Sequence, residues 1–450
     1  MRTLIVGHGG RESALAYRMS EHSELHAFVG HENPSIVGYA AASGGSHQVG
    51  DVCDPQAVAA FAREREIDIA MVSADEPLAA GVVDALLAQG TRAVGPTAAG
   101  AEIEWNKEFA RSLLAEVAPE AVPRLRVAHD ASEVEQAFAA FGSDELVVKP
   151  AGLTGGKGVK VMGPHLDDHA QARAYALELL AGGGAGRAVL IEEKIVGAEF
   201  TIQAISDGNT VVFPPATYDF PYRYDGDTGP GTGGMGSLTL DTDALPFMTD
   251  QHYLEACSII RRIIARLQAQ GRHFSGVMNS GFFATADGVK VIEFNARFGD
   301  PECMNILSLF DDSWPHVMQE IAHGTLKSSD VPLRPEASMV LYLVSPDYAL
   351  PRPPGAPASA PYEFTLERQR IEADGCHVFF SSAVQTGESA YRTVGTSRAV
   401  ALATTAPTLE QARARVVAAA ESVPVLEWRR DIGRMSYLEE LSALVQGCPA

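Results

Sequence analysis

Short apolar runs parted by polar stretches of helix length open the chain: Thr3–Val6, Ala27–Val29, Ile67–Val72 and Ala93–Pro96. Helical spacing from Gln56 to Arg65 and from Leu78 to Gln89 lies between such runs, which predicts crossover helices and a parallel α/β layer. A polar, helix-rich piece follows from Ala98 to about Val122. Over 123–195 the clearest strands are Leu146–Pro150 and Arg187–Val196, around a helix from His169 to Leu180. From 196 to 330 strand patterns dominate (Phe200–Ser206, Thr210–Pro215, Gly276–Phe283, Val289–Asn295), with helices over 249–270 and 314–323. The Pro-rich segment 351–361 predicts a loop, because proline lacks the N–H that a ladder or helix needs. Short strands and one clear helix, Thr408 to Glu421, complete the chain, and no internal repeat is visible.

Composition narrows the function classes. The 450 residues allow roughly three domains at about 150 residues each. There are 35 Lys+Arg against 57 Asp+Glu, so 35 − 57 = −22 formal charges. That balance argues against nucleic acid as a main partner, because phosphate backbones are held by clustered Lys and Arg. A small anionic ligand needs only a few local donors and stays open. The five cysteines are far apart and none forms a C-x-x-C pair, so neither a zinc site nor a disulfide framework is expected, and a reducing cytoplasm fits. The apolar run at the start is too short for a signal peptide, and no stretch is long enough for a membrane span.

Four motifs carry candidate chemistry. Gly7-His8-Gly9-Gly10-Arg11-Glu12 follows the first strand and opens a helix, where glycines let backbone N–H groups approach a phosphate. Glu12 stands where a dinucleotide fold wants a third Gly, so NAD is not supported, and a plain β–α turn is the alternative. In LVVKPAGLTGGKGVKVMG, Lys149 ends a strand and Lys157 sits in a Gly-rich loop. This suits a lid closing on polyphosphate, but it is not a Walker A loop, and an ordinary hairpin competes. In VKVIEFNARFGDPE, Glu293 and Asn295 are two apart on a strand and share a face, and a carboxylate plus an amide oxygen suits hard Mg²⁺. Arg297 shares that face and could clamp a carboxylate or phosphate; a buried structural ion pair is the competitor. The run Asp225–Gly236 holds six glycines and reads as a loop whose amides line a ligand, with a long flexible connection as the alternative. Glu192-Glu193-Lys194 ends a strand and suits either a nucleotide-base hinge or charged surface. The histidines form no recognisable nucleophile pattern.

Together and in this order, GHGGRE, VGPTAAGAEIEWNKEFA, VVKPAGLTGGKGVKVMG, IEEKIVGAEFT, DGDTGPGTGGMGS, VIEFNARFGDPE and RRDIG resemble the ATP-grasp ligases, and within them the phosphoribosylamine–glycine ligase family, over almost the whole chain. The resemblance implies an α/β fold: a pre-ATP-grasp domain over 1–100, a helical connector over 101–122, an ATP-grasp sandwich split into 123–195 and 196–335, and a small C-terminal domain over 336–450. It implies ATP and Mg²⁺, with Mn²⁺ as a substitute. Small-molecule substrates are the partners, no nucleic acid or membrane is involved, and the expected state is a monomer or homodimer. It makes Lys107, Lys149 and Lys157 ATP-contacting lysines, Glu192, Glu193 and Ile195 an adenine hinge, Glu199 a ribose contact, and Glu293 and Asn295 metal ligands. Arg297, Lys157 and Asp227 are its catalytic candidates. Gly9, Gly10, Arg11, Glu12, Asp75, Asp219, Arg223, Thr228, Gly229, Arg297 and Asp300 are its substrate-binding candidates. The implied reaction phosphorylates a carboxylate, and an amine then attacks the acyl phosphate.

The acceptor half departs from the family pattern. Ser13 stands for a His; Ser73-Ala74-Asp75-Glu76-Pro77-Leu78 for Gly-Pro-Glu-Ala-Pro-Leu; Asp219-Phe220-Pro221-Tyr222, with Arg223 next, for Asp-His-Lys-Arg; and Gly231 for an Asn. Replacing His-Lys by Phe-Pro removes two donors and is expected to add apolar surface. Two ligase readings follow, one making glycinamide ribonucleotide for purine synthesis, the other using a different amine or carboxylate in specialised metabolism. A silent nucleotide-binding protein is a third, and the retained lysines and metal pair argue against it.

Overall fold

The computed structural model describes residues 1–152, 158–182, 188–311, 314–327, 331–351 and 360–446. Strand Arg2–Val6 pairs in parallel with Glu24–Val29 on one side and Ile69–Val72 on the other; His47–Val49 and Arg92–Val94 complete a five-stranded layer. The chain fills one flank of its first strand and then returns to fill the other. Order reverses at the carboxyl ends of Arg2–Val6 and Ile69–Val72, the kind of switch point that forms ligand crevices in open parallel sheets. Helix Gly10–Ser20 starts at that crevice. The helix expected over Leu78–Gln89 is instead two, Asp75–Ala79 and Val82–Ala88, parted by Gly81 at φ +85°. The polar piece likewise breaks at Asn106, whose side chain accepts from Phe109 N–H and caps helix Lys107–Val117.

An antiparallel sheet follows, in the order Leu125–Ala128, Val189–Glu193, Leu146–Pro150, Lys160–Val161. Helices Ala131–Phe141 and His169–Ala181 pack on it. The first has no counterpart in the pattern reading, yet Val134, Ala137, Phe138 and Phe141 recur at helical spacing and are buried, and Asp130 caps it. This unit has its own apolar cluster, whereas one continuous core runs beneath the N-terminal layer and the large sheet.

That large sheet runs Gly288–Asn295, Gly276–Thr285, Ala198–Ser206, Thr217–Asp219, Gly236–Thr239, Ala337–Leu343, Val400–Ala406, His377–Phe380. Strands from both sides of residue 335 hydrogen-bond within it, through Gly236–Thr239 and Ala337–Leu343. The strand expected over Thr210–Pro215 shrinks to Val211–Val212, because Pro214 and Pro215 cannot donate to a ladder. The run Asp225–Gly236, expected as an open loop, forms part of a hairpin: Tyr222–Tyr224 pairs with Thr228–Gly231. No helix among the described residues is long and apolar enough to cross a membrane.

Candidate functional site

The large sheet is apolar on one face and polar on the other at one end. In Ala198–Ser206, Phe200, Ile202 and Ala204 point into the core, while Glu199, Thr201 and Gln203 alternate to the opposite face. Gln203 pairs with Asn279, and Asn279 pairs with Asn295; Thr201 pairs with Gly281, and Gly281 with Glu293. Between Phe282–Val291 and Gly281–Glu293 the register shifts by one residue, with Ile292 as the extra residue. A one-residue slip turns side chains to the other face, so this bulge is what brings Glu293 and Asn295 onto the polar side while Val291 stays in the core. Asn295 Nδ2 donates to Glu293 Oε1 at 3.3 Å, and Arg297 Nη2 donates to Asn295 Oδ1 at 3.3 Å. These three therefore stand together, as their spacing suggests. Arg297 is held from behind by the buried Glu104, whose Oε1 is 3.1 Å from Arg297 Nε and whose Oε2 accepts Ala296 N–H at 2.7 Å. Burial raises the Glu104 carboxyl, and Arg297 opposes that rise.

The basic side of the cleft is built on one buried carboxylate. Glu192 accepts Arg111 Nε at 2.7 Å and Nη2 at 3.1 Å, and lies 2.7 Å from Lys149 Nζ. Burial alone would raise its acid group; the two cations reverse this and hold it down at about 2. Arg111 also donates to the carbonyls of Val291 and Ile292, so the same residue braces the bulge. Lys107 Nζ donates to Gly152 O at 2.8 Å; burial lowers its pKa, Glu293 raises it and Lys149 lowers it further. Glu193 accepts the Arg124 N–H at 2.7 Å, and Ile195 is half-buried just past that strand. Glu199 is exposed at the cleft but crowded by its walls. This crowding, then Glu293 and Asp227, push its acid group up to about 7 against the pull of Lys149. Lys157 lies outside the described residues.

At the switch point the glycines answer to Glu12 and Tyr342. Gly7 has φ +124°, and a Cβ on it would stand 2.7 Å from Glu12 Cγ; at Gly10 a Cβ would collide with the Tyr342 hydroxyl. Glu12 accepts Gly9 N–H at 2.8 Å and Arg11 Nε at 2.7 Å, so it already occupies a donor that the motif offers to a ligand. Arg11 Nη1 reaches Phe298 O at 3.1 Å, and Phe298 N–H donates to Ser73 Oγ at 3.1 Å, joining the N-terminal layer to the strand that carries Asn295. Asp75 begins a short helix near Arg11. Asp300 accepts from Tyr342 at 2.6 Å and faces Arg398 at 3.2 Å.

The hairpin region differs from expectation. Phe220 adds no apolar surface: it is fully buried, edge-on to Tyr218 at 4.9 Å and beside Tyr437 at 5.3 Å, with the Arg429 guanidinium 5.0 Å from its ring. Arg223 is buried too, bound to Glu427 at 2.6 Å and to the Tyr348 carbonyl. Asp227, at φ +54°, lies 2.7 Å from Arg429 and accepts from Tyr437. Thr228 donates to Asp225 O at 3.0 Å, and Gly229 packs under the Tyr224 ring. Ser13 is buried and donates to the Phe380 carbonyl, while Gly231 faces open space. Asp219, by contrast, remains on the polar side of its strand, with a buried Oδ1 lacking a partner among the described residues.

Pattern reading missed Glu104, Arg111, Gln203, Asn279, Glu302 and Arg398. Gln203 carries a usable signal, the polar alternation with Glu199 and Thr201 along its strand, and Asn279 stands as an amide between apolar Met278 and the strand's small residues. Arg398 carries none, because its role depends on contact with Gly234 and Asp300, distant in sequence.

Residues 1–104 match the N domain of phosphoribosylglycinamide synthetase, and residues 105–303 match the ATP-grasp (A) domain of the same family. The phosphoribosylamine–glycine ligase of Thermococcus kodakarensis is 36% identical over 447 residues, 99% of each chain. That of Methanothermobacter thermautotrophicus is 37% identical over 442 residues, 98% of each. Among solved structures, a phosphoribosylamine–glycine ligase from Thermotoga maritima superposes with a TM-score of 0.77 at 22% identity, covering 96% of this chain and 100% of that one. The biotin carboxylase domain of a Hydrogenobacter thermophilus 2-oxoglutarate carboxylase, solved with magnesium ADP and bicarbonate, gives 0.69 at 15% identity, covering 99% and 98%. At these identities the two structures speak to the fold alone.

Proposed function

The chain belongs to the phosphoribosylamine–glycine ligase family of ATP-grasp enzymes, and from that premise we propose that it joins glycine to phosphoribosylamine, yielding glycinamide ribonucleotide, ADP and phosphate through a glycyl phosphate. The observation that carries this reading is the polar sheet face, where the bulge sets Glu293 and Asn295 beside Arg297 and across from Lys107 and Lys149. Two oxygen ligands fit a hard cation that takes its remaining ligands from phosphate, and no cluster of three or more His, Cys, Asp or Glu suited to a metal occurs among the described residues. Mg²⁺ held by Glu293 and Asn295 would neutralise charge on the polyphosphate.

The chain's own residues do the rest. Lys107, Lys149 and Lys157 draw the phosphates of ATP into the cleft, Glu192 to Ile195 border the adenine, and Glu199 meets the ribose. Glu192 holds Lys149 pointed at the cleft, and Glu104 holds Arg297, so both cations are oriented before substrate arrives. A carboxylate oxygen of glycine takes the γ-phosphoryl group and ADP leaves. The amine nitrogen then attacks the acyl carbon and phosphate departs. Proximity and charge stabilisation carry the rate, and no protein nucleophile is required.

A ligase with another amine or carboxylate is the second reading. Its support was the altered acceptor motifs, but Ser13, Phe220 and Arg223 are buried in packing contacts, which favours the first reading. Purified protein with MgATP, glycine and freshly generated phosphoribosylamine should release ADP. No ADP above background, with turnover of another acid–amine pair, would refute the assignment of substrates.

A further inference from the structure

Where the polar face meets the turn after Phe298, two amides and the Glu302 carboxylate crowd around Gly299, and Asp219 stands at nearby Gly234. Gln203, 1% exposed, accepts Gly299 N–H at 3.1 Å through Oε1 and leaves Nε2 without a partner among the described residues. Asn279, 5% exposed, donates to Glu302 Oε1 at 3.4 Å and leaves Oδ1 equally unmatched. A Cβ on Gly299 would run into the Glu302 carboxylate and come within 2.9 Å of Asn279 Nδ2, so only glycine leaves this space clear. Asp219 closes the other side: a Cβ on Gly234 would stand 2.5 Å from Asp219 Oδ1 and 2.6 Å from Pro301, the residue before Glu302. Burying an amide unmatched is unfavourable, and two beside an unmatched carboxylate oxygen mark a place that a polar ligand would complete.

We propose that this pocket receives the attacking primary amine, with Asn279 and Gln203 as its polar contacts and Glu302, paired with Asp219, as the group that takes its proton. The inference rests on the ligase reading above and assigns the amine to one place within it. Asn279 is the direct cross-strand neighbour of Asn295, so the pocket adjoins the metal pair where the acyl phosphate would form. Asn279 Oδ1 and the two carboxylates accept N–H groups, and Gln203 Nε2 is free to donate to an oxygen of the same substrate. Burial, then repulsion from Glu302, holds the Asp219 acid well above its usual range, and burial raises Glu302 as well. Arg398 opposes the shift at Asp219, Arg297 opposes it at Glu302, and Glu199 and Asp300 add negative charge from neighbouring elements. Glu302, already touching Asn279 at 3.4 Å, stands where it can take a proton from an amine held by that amide. In the step itself, the amine lone pair forms the C–N bond and the acyl C–O bond breaks with its electrons on phosphate. One N–H proton passes to Glu302 and from there to the departing phosphate.

Hydroxylamine separates the two halves of the reaction, because it is neutral at pH 7 and captures acyl phosphates without a protein base. With MgATP, glycine and hydroxylamine, wild-type protein should form glycyl hydroxamate and ADP; failure of that arm refutes the ligase reading by itself. Glu302→Gln should bind MgATP and form hydroxamate near the wild-type rate, but lose about 100-fold in amide synthesis from phosphoribosylamine. Gln203→Met should raise KM for the amine about tenfold while hydroxamate formation persists. Wild-type amide synthesis by Glu302→Gln, or parallel loss of hydroxamate with MgATP binding intact, would overturn the proposal. If Glu302→Gln fails to bind MgATP, Gln203→Met decides, and an unchanged amine KM overturns the proposal.

Discussion

The two ends of the cleft use their charges in different ways. At the nucleotide end, Lys149 and Arg297 each lean on a buried carboxylate, Glu192 and Glu104, so the ion pairs hold cations in place at the cleft. At the hairpin end, Arg223, Arg429 and Asp227 are bound to one another's neighbours: Glu427, Asp431 and Tyr437 close the network with residues from near the chain's end. Similar ion pairs thus serve orientation in one place and clamping in the other. What distinguishes them is the direction of the unpaired atoms. Among the described residues, Asn279, Gln203 and Asp219 leave donors and acceptors unmatched beside the first group, whereas Arg429 of the hairpin network is met by Asp431 and Asp227.

This contrast is broken most forcefully by Arg429→Leu. It strands the partly buried Asp227 and Asp431, and should cost about 3–5 kcal/mol of stability, read from the urea midpoint. Arg297→Lys, which keeps a cation beside the buried Glu104 but loses the guanidinium fork, should do the opposite, lowering kcat about 10²-fold while the urea midpoint moves far less. If both substitutions chiefly lowered the melting temperature, the division between orientation and clamping would fail. Glu192 offers a pH test at the nucleotide end. Its folded-state acid group is depressed from 4.5 to about 2, so its contribution is fully present above pH 4.5 and is lost as pH falls toward 2. The stability gap between wild type and Glu192→Gln should therefore be large at pH 7 and shrink across that window.

Restoring family residues sharpens the comparison further. Ser13→His inserts a ring into a site with no exposure and should cost about 1–3 kcal/mol by overpacking. Gly231→Asn, with nothing within 4 Å of the added Cβ, should change stability by less than about 0.5 kcal/mol. Equal effects at both positions would refute the placement of these departures.

Much of the fold was legible because its signals are local. The strands around Ile5, Val148 and Ile202 and the helices at 169–181, 250–269 and 409–421 follow from apolar period and caps. The break at Gly81 and the hairpin inside the Gly-rich run were hidden, since each depends on backbone geometry that composition does not encode. Within the site, Glu293, Asn295 and Arg297 were legible from spacing, although alternation by itself did not reveal the bulge at Ile292 that turns the first two outward. Glu104, Arg111 and Arg398 act on residues more than 80 positions away, and nothing near them in sequence announces those partners. Phe220 and Arg223 misled for a related reason. A motif position tells which residue changed, whereas burial against Tyr437 and Glu427 tells what the change touches.

The central claim is an acyl phosphate formed on the carboxylate substrate, and oxygen transfer tests it most directly. Glycine labelled with ¹⁸O in both carboxylate oxygens should deliver one label to inorganic phosphate for each amide formed with phosphoribosylamine. Amide formation accompanied by unlabelled phosphate would contradict the account.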